Sequence, residues 1–201
     1  MELREALTQI SEIRQQVART EVFRGYRALP VAFSGALALA VAGFQQVWLP
    51  DPAHEVSAYL SLWVGAALVS LLATSVEMVL HSRRAASPLA HSMTWLAVGQ
   101  FLPCVVAGGL LMCVLVGYAP QCLWLLPGLW ALLFSLGIFA SYRLLPRPTF
   151  YVAIFYMCAG TLCLTLGEAA LSPWAMGLPF GLGQLFAAAI LYWTLERSDG
   201  D

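Results

Sequence analysis

The chain has 201 residues, of which 60% are hydrophobic and 10% are charged, and its formal net charge is −1. Soluble domains are roughly 45–50% apolar and about 25% charged. A chain of this size and composition cannot hide its apolar surface from water, so we predict that lipid is its solvent. No basic, aromatic-rich stretch is present, and nucleic acid is therefore not expected as a partner.

Residues 1–27 are the one segment in which polar and apolar residues alternate so that one helical face would meet water, and we predict an amphipathic helix there. The segment holds five arginines and four glutamates. Its apolar positions repeat at helical spacing, and we predict that they form one face for docking: Leu3, Leu7, Ile10, Ile13 and Val17. A helix of roughly 12–15 residues is marginal on its own, so this face needs a support. The membrane surface, the chain's own loops and a partner helix all remain possible supports.

Six apolar runs follow, and each is long enough to cross the hydrocarbon core, which takes about 20 helical residues. We predict an all-α membrane bundle over residues 28–197 and a short tail over 198–201. Pro103 interrupts the third run, and a weak internal repeat favours three helical hairpins, 1–2, 3–4 and 5–6. The predicted spans are 29–49, 56–80, 89–118, 121–142, 149–167 and 174–195.

All ten basic residues are arginines, and all fall on one side of this six-span map. The connections on the other side carry Asp51, Glu55 and Glu168 and no basic residue. Arginine bias in short loops marks the cytoplasmic side, which predicts that both termini are cytoplasmic. The chain lacks lysine and asparagine and is rich in Ala, Leu and Arg, a composition typical of GC-rich bacteria. We therefore expect a bacterial cytoplasmic (inner) membrane.

The second span carries the sharpest cluster of polar residues. The members follow one another at spacings of three or four residues, which places them on one helical face: Ser70, Thr74, Glu77, His81 and Arg84. A carboxylate at the depth of Glu77 needs a partner or a watery cavity. One interpretation is a structural ion pair of Glu77 with His81 and Arg84. A second is a site that handles protons or cations, and a third is a metal site that adds His91.

Other polar residues inside the predicted spans are weaker candidates for a site. Gln100 and Gln184 lie near the midplane, where amides usually hydrogen-bond across helices. Thr161, Thr165 and Glu168 share one predicted face of span 5 with Cys158. A stripe on span 6 predicts a close helix–helix contact and consists of Gly177, Gly181, Gln184 and Ala188.

Five cysteines without a CxxC motif are expected to be packing residues, with a disulfide between Cys113 and Cys122 as the lesser alternative. Several catalytic classes lack their residues, because the chain has no lysine, no Gly-x-Ser-x-Gly and no His-Glu-x-x-His. The sequence indicates no catalytic residue and no particular cofactor.

We expect a non-catalytic membrane anchor, sensor or complex subunit. It would bind a protein partner through residues 1–20 or assemble with further copies of itself. The alternative is a transporter of a small molecule, ion or proton that uses Glu77 and His81. An intramembrane metalloenzyme is the third and weakest candidate.

Overall fold

The computed structural model of the protein describes residues 27–84 and 88–197. The predicted N-terminal helix with its docking face, and the predicted tail, lie outside these residues. The described part contains six long helices and no strand. They are α1 (Ala28–Trp48), α2 (Val56–Arg84), α3 (Pro88–Tyr118), α4 (Leu126–Ala140), α5 (Thr149–Thr165) and α6 (Pro173–Leu191).

Short helical turns complete the connections: Pro120–Leu125, Tyr142–Leu144 and Gly167–Leu171 are 3-10 turns, and Tyr192–Glu196 continues α6 as a π-helix. Each predicted span corresponds to one long helix, with ends that differ by a few residues. Proline accounts for one boundary, because α6 begins at Pro173 after the extended residue Ser172. The Ser172 side chain makes no capping hydrogen bond.

Five segments are long and apolar enough to cross a membrane, which agrees with a multi-pass membrane protein. They are Ala28–Trp48, Val56–Leu80, Val98–Tyr118, Pro120–Ala140 and Pro173–Thr194. The remaining helix, α5, is apolar but has only 17 residues. That length corresponds to about 25 Å at 1.5 Å per residue, against a hydrocarbon core of about 30 Å. The sixth span therefore stays a prediction.

The most extensive interfaces lie between α1 and α6 and between α4 and α5. A methyl group placed on Gly35 would lie 2.8 Å from the Gly181 carbonyl oxygen, and one on Gly160 would lie 2.8 Å from the Gly128 carbonyl oxygen. Gly177 contacts Ala42 just as closely. These close approaches confirm the predicted small-residue contact of span 6. Both interfaces join helices of different predicted hairpins: α4 and α5 are consecutive in the chain but belong to the second and third predicted hairpins, and α1 and α6 are the first and last of the six long helices.

Helices α2 and α3 lie at the edge of the bundle. Only 11% and 6% of their membrane-length segments are buried, compared with 33–44% for those of α1, α4 and α6. Their outward surfaces are covered with exposed leucine and valine, the side chains that lipid tails accommodate without cost. The protein core is therefore built mainly from α1, α4, α5 and α6, and α2 contributes Tyr59 and Trp63 to it.

The bundle has two chemically different ends. We call the connections 49–55, 119–125 and 166–172 the acidic end, because Asp51, Glu55 and Glu168 are their only Asp, Glu, Lys or Arg residues. We call the opposite end, with Arg27, Arg147 and Arg197 among its residues, the arginine end. At the acidic end the turns Pro120–Leu125 and Gly167–Leu171 pack against each other.

Candidate functional site

Glu77 of α2 pairs with Arg27 at the arginine end. Its carboxylate oxygen Oε1 lies 3.8 Å from Nη1 of Arg27, and the two side chains are 35% and 50% exposed, respectively. The pair joins the last third of α2 to the residue that precedes α1. The sequence predicts His81 and Arg84 as partners instead, and their side chains lie outside those that the structure describes. Arg27 is 50 positions away in the chain, so spacing on one helix could not reveal it.

The polar face of α2 is the face that turns toward the bundle. Tyr59 and Trp63 are buried, and Ser70, Thr74 and Glu77 follow them at helical spacing as half-buried residues. The Thr74 hydroxyl donates to the Ser70 carbonyl at 2.9 Å, a bond within the helix that satisfies it away from water. Toward the acidic end this face carries the buried aromatic side chains of Tyr59 and Trp63, whereas toward the arginine end it carries polar side chains that are only half-buried.

A fully buried amide, Gln45 of α1, holds three elements together at the acidic end. Its Nε2 donates to the Leu171 carbonyl at 3.0 Å, and its Oε1 accepts from Nε1 of Trp63 at 2.7 Å. Gln45 is fully buried, and Trp63 and Leu171 are each 4% exposed. We call this three-way contact the Gln45 junction. It fastens α1 to α2 and to the turn Gly167–Leu171.

Sequence reasoning missed Gln45, although a signal exists. Gly35, Ala38, Ala42 and Gln45 follow one another at spacings of three or four residues, and all four are buried. Gln45 therefore continues the small-residue stripe by which α1 meets α6. Its neighbour Gln46 is exposed, so the two consecutive glutamines have opposite environments.

The two amides that the sequence singled out have different surroundings. The Oε1 atom of Gln100 on α3 is buried, without a hydrogen-bond partner among the described residues. Gln184 of α6 is half-buried at the α1–α6 interface, where its Cβ packs against Gly35. Neither amide joins helices in the way that Gln45 does.

The polar face of α5 lines a shallow, open depression of about 420 Å³. Its walls are Met157, Cys158, Thr161, Leu162 and Thr165. The hydroxyl of Thr161 donates to the Met157 carbonyl at 2.8 Å, and that of Thr165 donates to the Leu162 carbonyl at 2.7 Å. Both hydroxyls are thus satisfied by their own helix.

Glu168 does not continue this face of α5. The helix ends at Thr165, and Gly167 adopts a positive φ of 58°, a conformation that glycine takes readily. Glu168 therefore lies in the turn Gly167–Leu171 at the acidic end, exposed to solvent. The helical period that placed Glu168 on this face ends with the helix at Thr165.

His54 and Asp51 form an exposed pair in the connection between α1 and α2. The imidazole Nδ1 lies 2.8 Å from the Asp51 carboxylate. This hydrogen bond, followed by the attraction of the two charges, raises the pKa of His54 above its ordinary value. The charge of Glu168 contributes in the same direction, and the bond from His54 lowers the pKa of Asp51.

Metal-binding residues do not converge within the described residues: no three His, Cys, Asp or Glu side chains there are placed to hold an ion. The predicted set of Glu77, His81 and His91 falls partly outside the side chains that the structure describes. All five cysteines are free, so Cys113 and Cys122 form no disulfide. Cys163 is the buried one, and its thiol donates to the Ala175 carbonyl at 3.3 Å.

Comparison with protein-family models, with curated proteins and with solved structures found no match.

Proposed function

We propose that this chain is a non-catalytic protein of a bacterial cytoplasmic membrane that crosses it six times, with both termini cytoplasmic. The concentration of arginine at one end of the bundle and of carboxylates at the other supports this orientation. For α5 to be the sixth crossing, the turn Gly167–Leu171 has to extend its path toward the acidic end. The extensive packing of α5 against α4 supports a position inside the bundle.

The role we propose is that of an anchor, sensor or complex subunit that docks a protein partner through the amphipathic segment 1–27. The observation that carries this proposal is the Arg27–Glu77 ion pair. Arg27 is the last residue of that segment, and the pair links it directly to α2. A displacement of the segment by a partner would therefore reach the membrane helices through a defined contact.

The hydrogen bonds inside the bundle favour a structural role for the membrane helices. Several buried polar groups hydrogen-bond to a neighbouring helix or turn: Gln45 to Leu171, and Ser135 of α4 to the Ala153 carbonyl of α5 at 2.7 Å. Trp130 of α4 likewise donates to the Gly108 carbonyl of α3 at 3.2 Å. Groups committed in this way position helices, and a stable arrangement of helices is what an anchor needs.

Co-purification from native lipid tests the proposal. We expect that replacing Leu7, Ile10 and Ile13 together by serine removes one or more partners seen by quantitative mass spectrometry with the full-length protein. The matched control replaces Gln15 and Gln16, which lie off the predicted apolar face, by serine and should leave the partners in place. Identical partner sets for both variants would contradict docking through this face. A second, differently tagged copy in the experiment distinguishes self-assembly from a different partner.

A transporter of protons, ions or small molecules is the second candidate. The observation in its favour is the half-buried polar face of α2. On this face Ser70 and Thr74 lie between the buried Trp63 and Glu77, which pairs with Arg27. Proteoliposomes with a trapped pH-sensitive dye test it. Flux that Glu77→Gln abolishes and Ser75→Ala, a change at an exposed position, leaves intact would favour transport. Flux that is equal in both variants would exclude Glu77 from the path.

A further inference from the structure

We propose that the phosphate of an anionic membrane lipid competes with Glu77 for Arg27 and, when bound, releases α2 from α1 at the arginine end. The ligand class is a phosphodiester headgroup with a net negative charge. The inference deepens the proposed sensor role, because both rest on the Arg27–Glu77 ion pair. Its test needs no protein partner, so the two proposals can fail separately.

Two contacts of different character join α1 to α2. At the acidic end, Nε1 of Trp63 donates to Oε1 of Gln45 at 2.7 Å, and both residues are buried. At the arginine end, Nη1 of Arg27 and Oε1 of Glu77 are 3.8 Å apart, and both side chains are partly exposed. Glu77 follows Trp63 by about 21 Å along the helix at 1.5 Å per residue. The first contact is closed to other ligands, whereas the second is open to exchange.

The geometry of the ion pair leaves room for a better ligand of Arg27. Its separation of 3.8 Å exceeds the roughly 2.7–2.9 Å of a charge-assisted hydrogen bond. A guanidinium presents its N–H donors in a planar fork, and a phosphate accepts two of them in parallel. A phosphate that approaches Arg27 can therefore form short hydrogen bonds that Glu77 does not form in this arrangement.

Arg27 lies at the level where lipid phosphates are expected. It directly precedes the membrane-length segment that begins at Ala28. Ala28 belongs to one buried cluster with Leu191 of α6, and the next two residues of α6, Tyr192 and Trp193, are exposed aromatic rings. Such rings lie among the headgroups at a membrane surface. An exposed arginine at this level attracts anionic lipid by charge.

The exchange of partners would free one end of α2 and leave the other attached. Among the described side chains of α2, the buried ones are Tyr59 and Trp63 near the acidic end and Met78 beside Glu77. Only 11% of the membrane-length segment of α2 is buried, so few other contacts resist its movement. The Gln45 junction stays closed. The arginine end of α2 therefore moves away from α1 when the lipid replaces Glu77.

Native mass spectrometry of the full-length protein, titrated with phosphatidylglycerol or phosphatidylcholine, tests the binding step. Arg27→Gln should weaken the first phosphatidylglycerol site by about fivefold, the effect of one basic residue near an anionic surface. Glu77→Gln removes the competitor and should strengthen that site, and Arg27→Gln should abolish this gain. Glu55→Gln makes the same change of net charge at the acidic end and should have no effect. Arg147→Gln, at another exposed arginine, should leave the gain intact.

Distances between spin labels in nanodiscs test the release of α2. In a cysteine-free background, one pair of labels replaces Leu29 and Val79 at the arginine end, and the reference pair replaces Val47 and Ser57 at the acidic end; all four positions are exposed. Phosphatidylglycerol should lengthen the first distance and leave the second unchanged. In Arg27→Gln the first distance should already be long and insensitive to the lipid. Inorganic phosphate added to phosphatidylcholine nanodiscs should change neither distance.

Four results would overturn the proposal. Equal lipid affinities for Glu77→Gln and Glu55→Gln would show a general charge effect in place of competition. A gain from Glu77→Gln that survives in Arg27→Gln would place the lipid on another residue. A first distance that is the same in both lipids would show that binding does not release α2. The same lengthening by inorganic phosphate would assign the site to a soluble anion.

Discussion

Replacement of Gln45 by methionine tests the junction that joins α1, α2 and the turn Gly167–Leu171. Methionine is similar in length and volume, so the change removes the hydrogen bonds and leaves the packing nearly intact. Two groups then lose their partner: the indole N–H of Trp63 and the carbonyl of Leu171. Both residues are 4% exposed, so water cannot replace the amide without opening the structure.

The size of the effect follows from these two bonds. Hydrogen bonds between membrane helices contribute about 0.6 kcal/mol on average and up to about 1.7 kcal/mol. Leaving a buried group without a partner costs about 1–3 kcal/mol. For two bonds we expect Gln45→Met to lower the free energy of unfolding by about 1–3 kcal/mol. In a double-mutant cycle with Trp63→Phe, we expect a coupling energy of about 0.6–1.7 kcal/mol.

Reversible unfolding in mixed micelles, followed by circular dichroism, measures both quantities. The matched control is Gln46→Met, which changes the same residue type one position along at an exposed site, and it should leave stability unaltered. Equal stabilities for Gln45→Met and Gln46→Met would refute the reasoning. Additive effects of Gln45→Met and Trp63→Phe would show that their hydrogen bond contributes nothing.

Four further substitutions address helix packing, the ion pair and the pH dependence of stability. Gly177→Ala should destabilise the bundle by about 1–3 kcal/mol because its methyl group meets α1. Gly109 has open space around it, so Gly109→Ala should leave the free energy of unfolding unchanged or raise it by up to about 1 kcal/mol through helix propensity. A Gly177→Ala variant that is more stable than Gly109→Ala in thermal unfolding would contradict the packing described for Gly177. Glu77→Gln should lower the free energy of unfolding by less than about 1 kcal/mol, because the ion pair with Arg27 is half exposed. A larger decrease would show that Glu77 has a second partner. The melting temperature should fall slightly between pH 6 and pH 8 as His54 loses its charge, and His54→Gln should flatten that slope.

The helices could be predicted from the sequence because their causes are local. Long apolar runs, together with the prolines near 50 and 173, mark where each helix begins or ends. The contact surface of α6 was also predictable, because Gly177 and Gly181 lie on one face of the helix and small residues at such spacing allow a neighbouring helix to approach closely. Neither inference needed knowledge of which helices are adjacent.

The partners of the polar residues could not be predicted, because they depend on which helices meet. Gln100 and Gln184 stand out in the sequence by their depth in the predicted spans, yet depth does not say which amide faces a neighbouring helix. Arg27 meets Glu77 only because α1 and α2 pack side by side at the arginine end. Such pairings arise from the arrangement of the helices and leave no trace in the spacing along one helix.

Labelling of single cysteines in intact spheroplasts tests the proposed membrane arrangement most directly. In a cysteine-free background, a membrane-impermeant maleimide would be offered to a cysteine at His54, in the acidic end, or at Arg197, in the arginine end. We predict that the position of His54 is labelled in intact cells and that the position of Arg197 is labelled only after the membrane is opened. Labelling of both positions in intact cells, or of Arg197 alone, would contradict six crossings with cytoplasmic termini.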